Sequence, residues 1–415
     1  VPDDSHPLRR VLELRDVRIL VAARFFASFG RSLLHVTIHW HLWKLSGSAF
    51  YLGLLGLVEF LPVIPVSLIA GAVADNRDRR KIVMAAQAVS LACALVLTLG
   101  SLREEANVLL LLGTACALAI ASCFENPAGA ALLPSLVPRE LFPTATVLSS
   151  NVRNVAAVSG PVAMGFLAAA AGISIVYITA VVLLGISLVT LVFVRSPEIE
   201  GGGRPVAWSS IQEGVAFVWR QKVILGSITL DMFAVIFASV TALLPLFATE
   251  LLGVDEVGYG ILSASVQAGT VAMAVILLAL PPLQRPGRAL LIAVFFFGLA
   301  TIAFGLTRSF PVAVLALALS GMADQVSMVS RSIILQLSTP DPLRGRVNAV
   351  NMIFIGASNE LGAAESGFLA ALTSATFSAV FGGLACLGAL GVVTVSLPAL
   401  RSYRVDGITA SPPRT

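Results

Sequence analysis

Twelve apolar runs follow one another along the chain, each close to the length that crosses a bilayer. Their approximate limits are 19–43, 49–74, 82–102, 107–133, 144–170, 173–194, 223–249, 257–281, 289–307, 310–336, 347–372 and 375–399. A membrane-spanning helix needs ~20 mostly apolar residues. Only 12% of the residues are charged, against ~25% in soluble globular proteins, and the mean hydropathy is +0.92. The expected fold class is therefore an all-α membrane protein with twelve transmembrane helices. The breaks carry turn chemistry: Ser46-Gly47-Ser48, Gly172, Pro281-Pro282 and Pro340-Asp341-Pro342.

The sharpest break is Gly71-Ala-Val-Ala-Asp75-Asn-Arg77-Asp78-Arg79-Arg80-Lys81, where six of the seven residues from Asp75 to Lys81 are charged. It reads as a tight cytoplasmic turn between spans 2 and 3, because clustered Lys and Arg stay on the cytoplasmic side. Orientation follows from all 27 Lys and Arg. With both termini in the cytoplasm, only Lys44, Arg103 and Arg308 fall outside, and Arg24, Arg31, Arg153 and Arg331 fall within spans. Every other basic residue is then inside, and one span more or fewer would reverse each later loop. The outer loops instead carry Glu104, Glu105, Glu250, Asp255 and Glu256. The N-terminal Val1 to Arg18 is polar and shows no cleavable signal pattern, so span 1 is expected to serve as the insertion signal. The net charge of +4 sits at membrane edges, which argues against a nucleic-acid partner. Cys93, Cys116, Cys123 and Cys386 lie inside apolar runs without metal-ligand spacing, and packing is their expected role.

The longest break, Arg195 to Lys222, holds Gly201-Gly202-Gly203 and then Trp208, Ile211, Val215, Val218 and Trp219 at helical spacing. That pattern predicts an amphipathic helix on the inner membrane surface. The expected organisation is a six-helix bundle over 1–194, a cytoplasmic linker with this helix over 195–222, a second six-helix bundle over 223–399 and a cytoplasmic tail over 400–415. The halves look related. Gly165-Phe-Leu-Ala-Ala169 recurs as Gly367-Phe-Leu-Ala-Ala371, and at the same offset Pro138 matches Pro340, Leu141 matches Leu343 and Gly160 matches Gly362.

Charges inside a bilayer cost several kcal/mol each and should face protein or a water-filled cavity. Arg24, Arg31, Glu59, Glu125, Arg153, Asp231, Asp324, Arg331, Glu360 and Glu365 fall in spans 1, 2, 4, 5, 7, 10 and 11. Spans 3, 6, 9 and 12 carry none and are chemically fit to face lipid. On span 1, Arg24, Ser28, Arg31, His35 and His39 lie on one helix face. The arginines need partners: Glu125, Asp231, Asp324 or an anionic ligand. Structural ion pairs and a cationic cavity wall both satisfy that need. His35 and His39 are spaced to ligate a metal, but no third ligand is evident, so no metal is expected. Span 10 aligns Asp324, Ser327 and Arg331 on one face, while Asp231 and Glu125 lie in spans 7 and 4. Carboxylates in such surroundings are either permanently paired or act as proton carriers. In span 5, Gly160-Pro161 and Gly165 allow close helix approach.

Several of these segments resemble a known family. Gly71, Asp75, Arg79 and Arg80 match the signature loop of the major facilitator superfamily, with departures at Asn76 and Asp78. Pro340-Asp-Pro-Leu-Arg344-Gly-Arg-Val-Asn348, Asp231-Met-Phe-Ala and Pro138-Arg-Glu-Leu141 look like its enterobactin-exporter-like branch. Gly160, Pro161 and Gly165 resemble the span-5 motif of its antiporters. The resemblance implies two six-helix bundles, with spans 1, 4, 7 and 10 around a central cavity and spans 2, 5, 8 and 11 between the halves. It implies proton-driven export of a siderophore or drug-like small molecule across the bacterial inner membrane, by a protein expected to act as a monomer.

In that frame Arg24, Arg31, His35, His39, Glu125, Asp231, Asp324 and Arg331 are the expected cavity residues. Asp231 and Asp324 are the expected proton carriers. Gly71, Asp75, Arg79, Arg80, Glu140 and Asp341 are expected to build a gate against the start of span 11. No phosphate-binding Gly-Lys-Ser/Thr loop, Gly-x-Ser-x-Gly elbow or zinc helix is present, so neither an enzyme nor a cofactor is expected. The alternatives are a non-transporting sensor or assembly partner with the same fold, or a facilitator importing an anionic metabolite.

Overall fold

A computed structural model describes residues 7–195 and 208–405, and every regular element among them is helical. Twelve long helices follow in order: α1 (Arg15–Ser46), α2 (Ala49–Asn76), α3 (Arg79–Leu102), α4 (Val108–Leu136), α5 (Phe142–Ala171) and α6 (Ile173–Val192), then α7 (Lys222–Ala238), α8 (Glu256–Ala279), α9 (Pro286–Leu306), α10 (Phe310–Ser338), α11 (Arg344–Leu372) and α12 (Ala375–Ser396). Eleven of the described helices are both long and apolar enough to cross a membrane. α11 does not meet that measure. Its 29 residues suffice in length, but Arg344, Arg346, Glu360 and Glu365, with several Asn and Ser, lower its apolarity.

The helix ends follow from local chemistry. Asp78 accepts hydrogen bonds from the Arg80 and Lys81 N–H groups (3.0 and 3.4 Å) and so starts α3. Asn107, Asp255 and Ser374 cap α4, α8 and α12 in the same way. Gly47 ends α1 with φ +56°, a left-handed conformation that glycine adopts without strain. The seventh span does not run as one helix. α7 stops at Ala238, and the chain resumes as short turns at Thr241–Leu243 and Leu244–Leu246 and a π-helical turn at Phe247–Leu251. Pro245 lacks the N–H for the ladder and crowds the carbonyl four residues back, at Thr241. Thr301 on α9 donates to the freed Ala238 carbonyl at 3.2 Å.

α1–α6 pack among themselves, as do α7–α12. The two bundles meet along two seams, α2 against α11 and α5 against α8. The repeated Gly-Phe-Leu-Ala-Ala segment lies in both seams. A Cβ on Gly367 would fall 2.3 Å from the Gly53 backbone, and one on Gly165 would fall 2.7 Å from the Glu256 carbonyl oxygen, so both contacts need glycine. α3, α6, α9 and α12 turn large apolar side chains outward, among them Leu99, Val189, Phe296 and Val395.

One end of the molecule carries the Arg77–Lys81 turn and is here called the basic end; the other carries Glu104, Asp255 and Glu256. At the acidic end a single apolar core joins both bundles, with Leu33, Trp40 and Leu52 packed into the same cluster as Phe247, Tyr259 and Phe304. At the basic end the core divides. Val17, Leu20, Leu132 and Leu191 form one cluster in the first bundle, and Ile224, Leu290, Ile334 and Val347 form another in the second. The halves are thus sealed together at the acidic end and part towards the basic end. The helix at Trp208–Arg220 packs on α7 and α11, and Glu213 pairs with Arg346. The side chains of Trp208 and Ile211 lie outside the described residues.

Candidate functional site

Beneath the shared core lies a cavity of about 520 Å³, lined from both bundles. α1 contributes Ser32, His35 and His39, α2 contributes Glu59, α5 contributes Pro161, α8 contributes Tyr259 and Gln267, α10 contributes Asp324, and α11 contributes Asn359 and Glu360. The unwound stretch after α7 adds Ser239, Val240 and Thr241. Irregular backbone at membrane depth is tolerated where it lines a cavity, since exposed carbonyls there find polar partners.

The acidic-end seal forms the cavity roof. Tyr259 stacks on Trp40 with ring centroids 4.9 Å apart and donates its hydroxyl to the Val36 carbonyl at 3.1 Å. The Trp43 indole N–H donates to Thr249 at 2.8 Å, and Lys44 lies 3.5 Å from the Glu256 carboxylate. Each contact joins α1 to the second bundle. In α5, a Cβ on Gly160 would meet the Ser32 hydroxyl, and the Pro161 carbonyl leaves no room for a Cβ on Gly260. This segment therefore sets how closely α5 approaches α1 and α8.

Of the eight residues expected at the cavity, His35, His39 and Asp324 line it. The other five are drawn into networks within each bundle. Arg31 pairs with Glu125 across α1 and α4. The Glu125 carboxylate also accepts from Gln87 at 3.1 Å, and the Gln87 carbonyl oxygen accepts from Ser187 at 2.9 Å, so the pair is tied to α3 and α6. Arg24 donates to Ser149 at 2.5 Å and to the Gly129 carbonyl. In the second bundle Arg331 pairs with Asp231, which also accepts from Ser327 at 3.0 Å. Arg331 thus turns to α7 and not to Asp324 on its own helix. Asp324 makes no ion pair or hydrogen bond among the described residues.

At the basic end, Arg79 donates to the Ala131 carbonyl at 3.1 Å, and Arg80 donates to the Leu191 and Val192 carbonyls that end α6. A guanidinium there satisfies open carbonyls and complements the helix dipole. Both arginines bind within their own bundle. Asp341 pairs locally with Arg344 at 2.9 Å, Glu140 is exposed, and Gly71 has no neighbour within 4 Å where a Cβ would stand. The Asp75 side chain lies outside the described residues. The expected gate contact between this turn and α11 is absent among the described residues in this arrangement, in which the basic end is parted.

Sequence reasoning counted Glu59 and Glu360 as intramembrane charges but placed neither at the cavity. The fold brings the two carboxyl groups together from opposite bundles. No spacing within one helix signals such a meeting. Tyr259, Gln267 and Asn359 carried no signal at all.

Known proteins of similar sequence and fold complete the assignment. The family model described as transmembrane secretion effector matches residues 7–412. The multidrug efflux pump Tap of Mycobacterium tuberculosis (strain ATCC 25618 / H37Rv) is 27% identical over 405 residues, covering 92% of this chain and 93% of that protein. The enterobactin exporter EntS of Shigella boydii serotype 18 is 24% identical over 388 residues, covering 93% of each. A crystal structure of a POT family transporter in complex with 5-aminolevulinic acid superposes with a TM-score of 0.73 at 13% identity, covering 93% of this chain and 96% of that one. The chain belongs to the transmembrane secretion effector family, a branch of the major facilitator superfamily of membrane transporters.

Proposed function

We propose that the chain is a proton-driven exporter of small molecules that works by alternating access, with the basic end in the cytoplasm. The relatives named as efflux proteins support export, and the distribution of Lys and Arg supports the orientation. In that orientation the structure corresponds to the state that receives cargo from the cytoplasm. The observation that carries the coupling is Asp324, a half-buried carboxylate on the cavity wall with no cationic partner among the described residues. Glu125 and Asp231 each have an arginine. A carboxylate without a partner in apolar surroundings avoids the desolvation cost by taking a proton. Water reaches a cavity wall from whichever side is open. An exporter releases cargo outside and needs something to return with, and a proton taken there supplies both the drive and a neutral carboxyl for the return. Asp231 joins this cycle only in a state where its pair with Arg331 opens.

The test is transport into inside-out vesicles, with and without a pH gradient. Asp324→Asn mimics the protonated state. It is expected to lose gradient-driven accumulation and to keep cargo exchange at zero gradient. Full pH-dependent accumulation by Asp324→Asn would show that another group carries the proton.

A further inference from the structure

The cavity wall beneath the roof holds a cluster that the transport cycle above does not use. His35 and His39 stand one turn apart on α1, with ring centroids 4.5 Å apart. Glu59 of α2 lies beside them, its Oε1 3.9 Å from His35 Nδ1. One ligand atom from each residue falls within 4.8 Å of the other two. Bonds of ~2.0–2.2 Å to a central ion place its ligand atoms about 3.2–3.6 Å apart, so a side-chain shift of about 1 Å closes the set.

Two further features point to a cation. His39 Nδ1 lies 2.9 Å from the His35 carbonyl oxygen. An oxygen acceptor there requires the proton on Nδ1, which leaves the Nε2 lone pair free. A backbone carbonyl holding the far nitrogen is the usual way a metal-binding histidine is oriented. Glu360 of α11, from the other bundle, meets the Glu59 side chain. Two facing carboxyl groups are held together by a proton or a cation.

We propose that His35, His39 and Glu59 form a binding site for a divalent first-row transition-metal ion, with its open coordination position facing the cavity. Two imidazoles and a carboxylate suit zinc, iron, cobalt or nickel, whereas magnesium and calcium take all-oxygen sites and copper(I) takes sulfur. Glu360 orients the Glu59 carboxylate from the opposite bundle, so an ion in the site ties the two halves together beneath the roof. The proposal does not depend on the cargo, the direction of transport or the proton carrier.

The purified full chain in detergent, stripped with a chelator, is titrated with Co²⁺ alone and then with Zn²⁺. One Co²⁺ per chain is expected, with a visible ligand-field spectrum that Zn²⁺ abolishes and Mg²⁺ does not. His39→Ala and Glu59→Gln should each weaken binding at least tenfold. Glu360→Gln should weaken it about 10- to 100-fold, the range for partners that orient a ligand. His41→Ala should change nothing, since that ring faces Tyr177 at 3.0 Å instead. His39→Cys restores a ligand and should recover Co²⁺ binding with a sulfur charge-transfer band, which separates ligand loss from misfolding. Absence of saturable binding in the unaltered chain would overturn the site. So would binding that survives the double change His35→Ala, His39→Ala, or loss of binding in His39→Cys as complete as in His39→Ala.

Discussion

Each bundle buries one arginine–carboxylate pair between its first and fourth helices, with the charges exchanged. The arginine is on α1 and the carboxylate on α4 in the first; the carboxylate is on α7 and the arginine on α10 in the second. Removing one member of a buried pair leaves an uncompensated charge, which costs about 3–5 kcal/mol, while replacing both by apolar residues is often neutral. Arg331→Met should therefore lower the unfolding temperature sharply, and Arg331→Met with Asp231→Leu should recover most of the loss. Thermal unfolding of the purified protein measures both, and equal losses in the single and double variants would show that the pair does not act through charge. The arginines were legible in the sequence as residues in need of partners, but the choice of partner was not. Asp324 and Arg331 share a helix face, which suggests competition between Asp231 and Asp324 for the arginine. Seven residues of helix rise about 10.5 Å, beyond the reach of an ion pair. Arg331 therefore crosses to α7, and Asp324 has no ion-pair partner among the described residues. His35, His39 and Glu59 show the same limit, because two ligands at helical spacing can be read in sequence and a third from another helix cannot.

At the scale of elements, the apolar runs locate eleven of the twelve long helices to within about four residues, and run 223–249 overshoots the end of α7 at Ala238. Run 107–133 becomes Val108–Leu136, and run 347–372 becomes Arg344–Leu372. Length and apolarity set these limits locally, so they are legible without tertiary knowledge. The break after α7 was not legible, although Pro245 was its one local sign. An apolar run reads the same whether its backbone is α, 3₁₀ or π. The seams are a case between these. The repeated Gly-Phe-Leu-Ala-Ala segment was visible as a repeat, and the fold places each copy where helices from opposite bundles touch. At Gly367 a Cβ would stand 2.3 Å from Gly53, a contact that real side chains do not make, so Gly367→Ala must push α11 away from α2 at the acidic end. The expected result is a population shift towards a state opened there. Spin labels at Arg103→Cys and Arg308→Cys, on exposed acidic-end loops of opposite bundles, should report a longer distance in the Gly367→Ala background by pulsed electron paramagnetic resonance. An unchanged distance distribution would show that the seam yields without opening.

For the whole molecule, on the alternating-access cycle proposed above, the division of the core into one acidic-end cluster and two basic-end clusters corresponds to one of two states. In the other state the basic-end clusters must meet and the shared roof must part. What holds the basic end closed is then the question that the Arg77–Lys81 turn addresses. Arg79 and Arg80 already secure that turn to α4 and α6, so it moves as a rigid part of the first bundle. A negative Asp75 on such a part can dock against the N-terminus of α11, where the helix dipole favours an anion. Neutralising it removes that attraction from the closed state. Asp75→Asn should therefore raise the share of molecules open at the basic end. Gln267 is exposed and lines the cavity, which makes it a reporter for both access and orientation. With Cys93, Cys116, Cys123 and Cys386 replaced, Gln267→Cys should react with a membrane-impermeant thiol reagent in inside-out vesicles much faster than in right-side-out ones. Adding Asp75→Asn should raise the inside-out rate further and lower the other. Equal inside-out rates with and without Asp75→Asn would remove Asp75 from the gate. Faster labelling in right-side-out vesicles would place the basic end outside and reverse the direction of the proposed cycle.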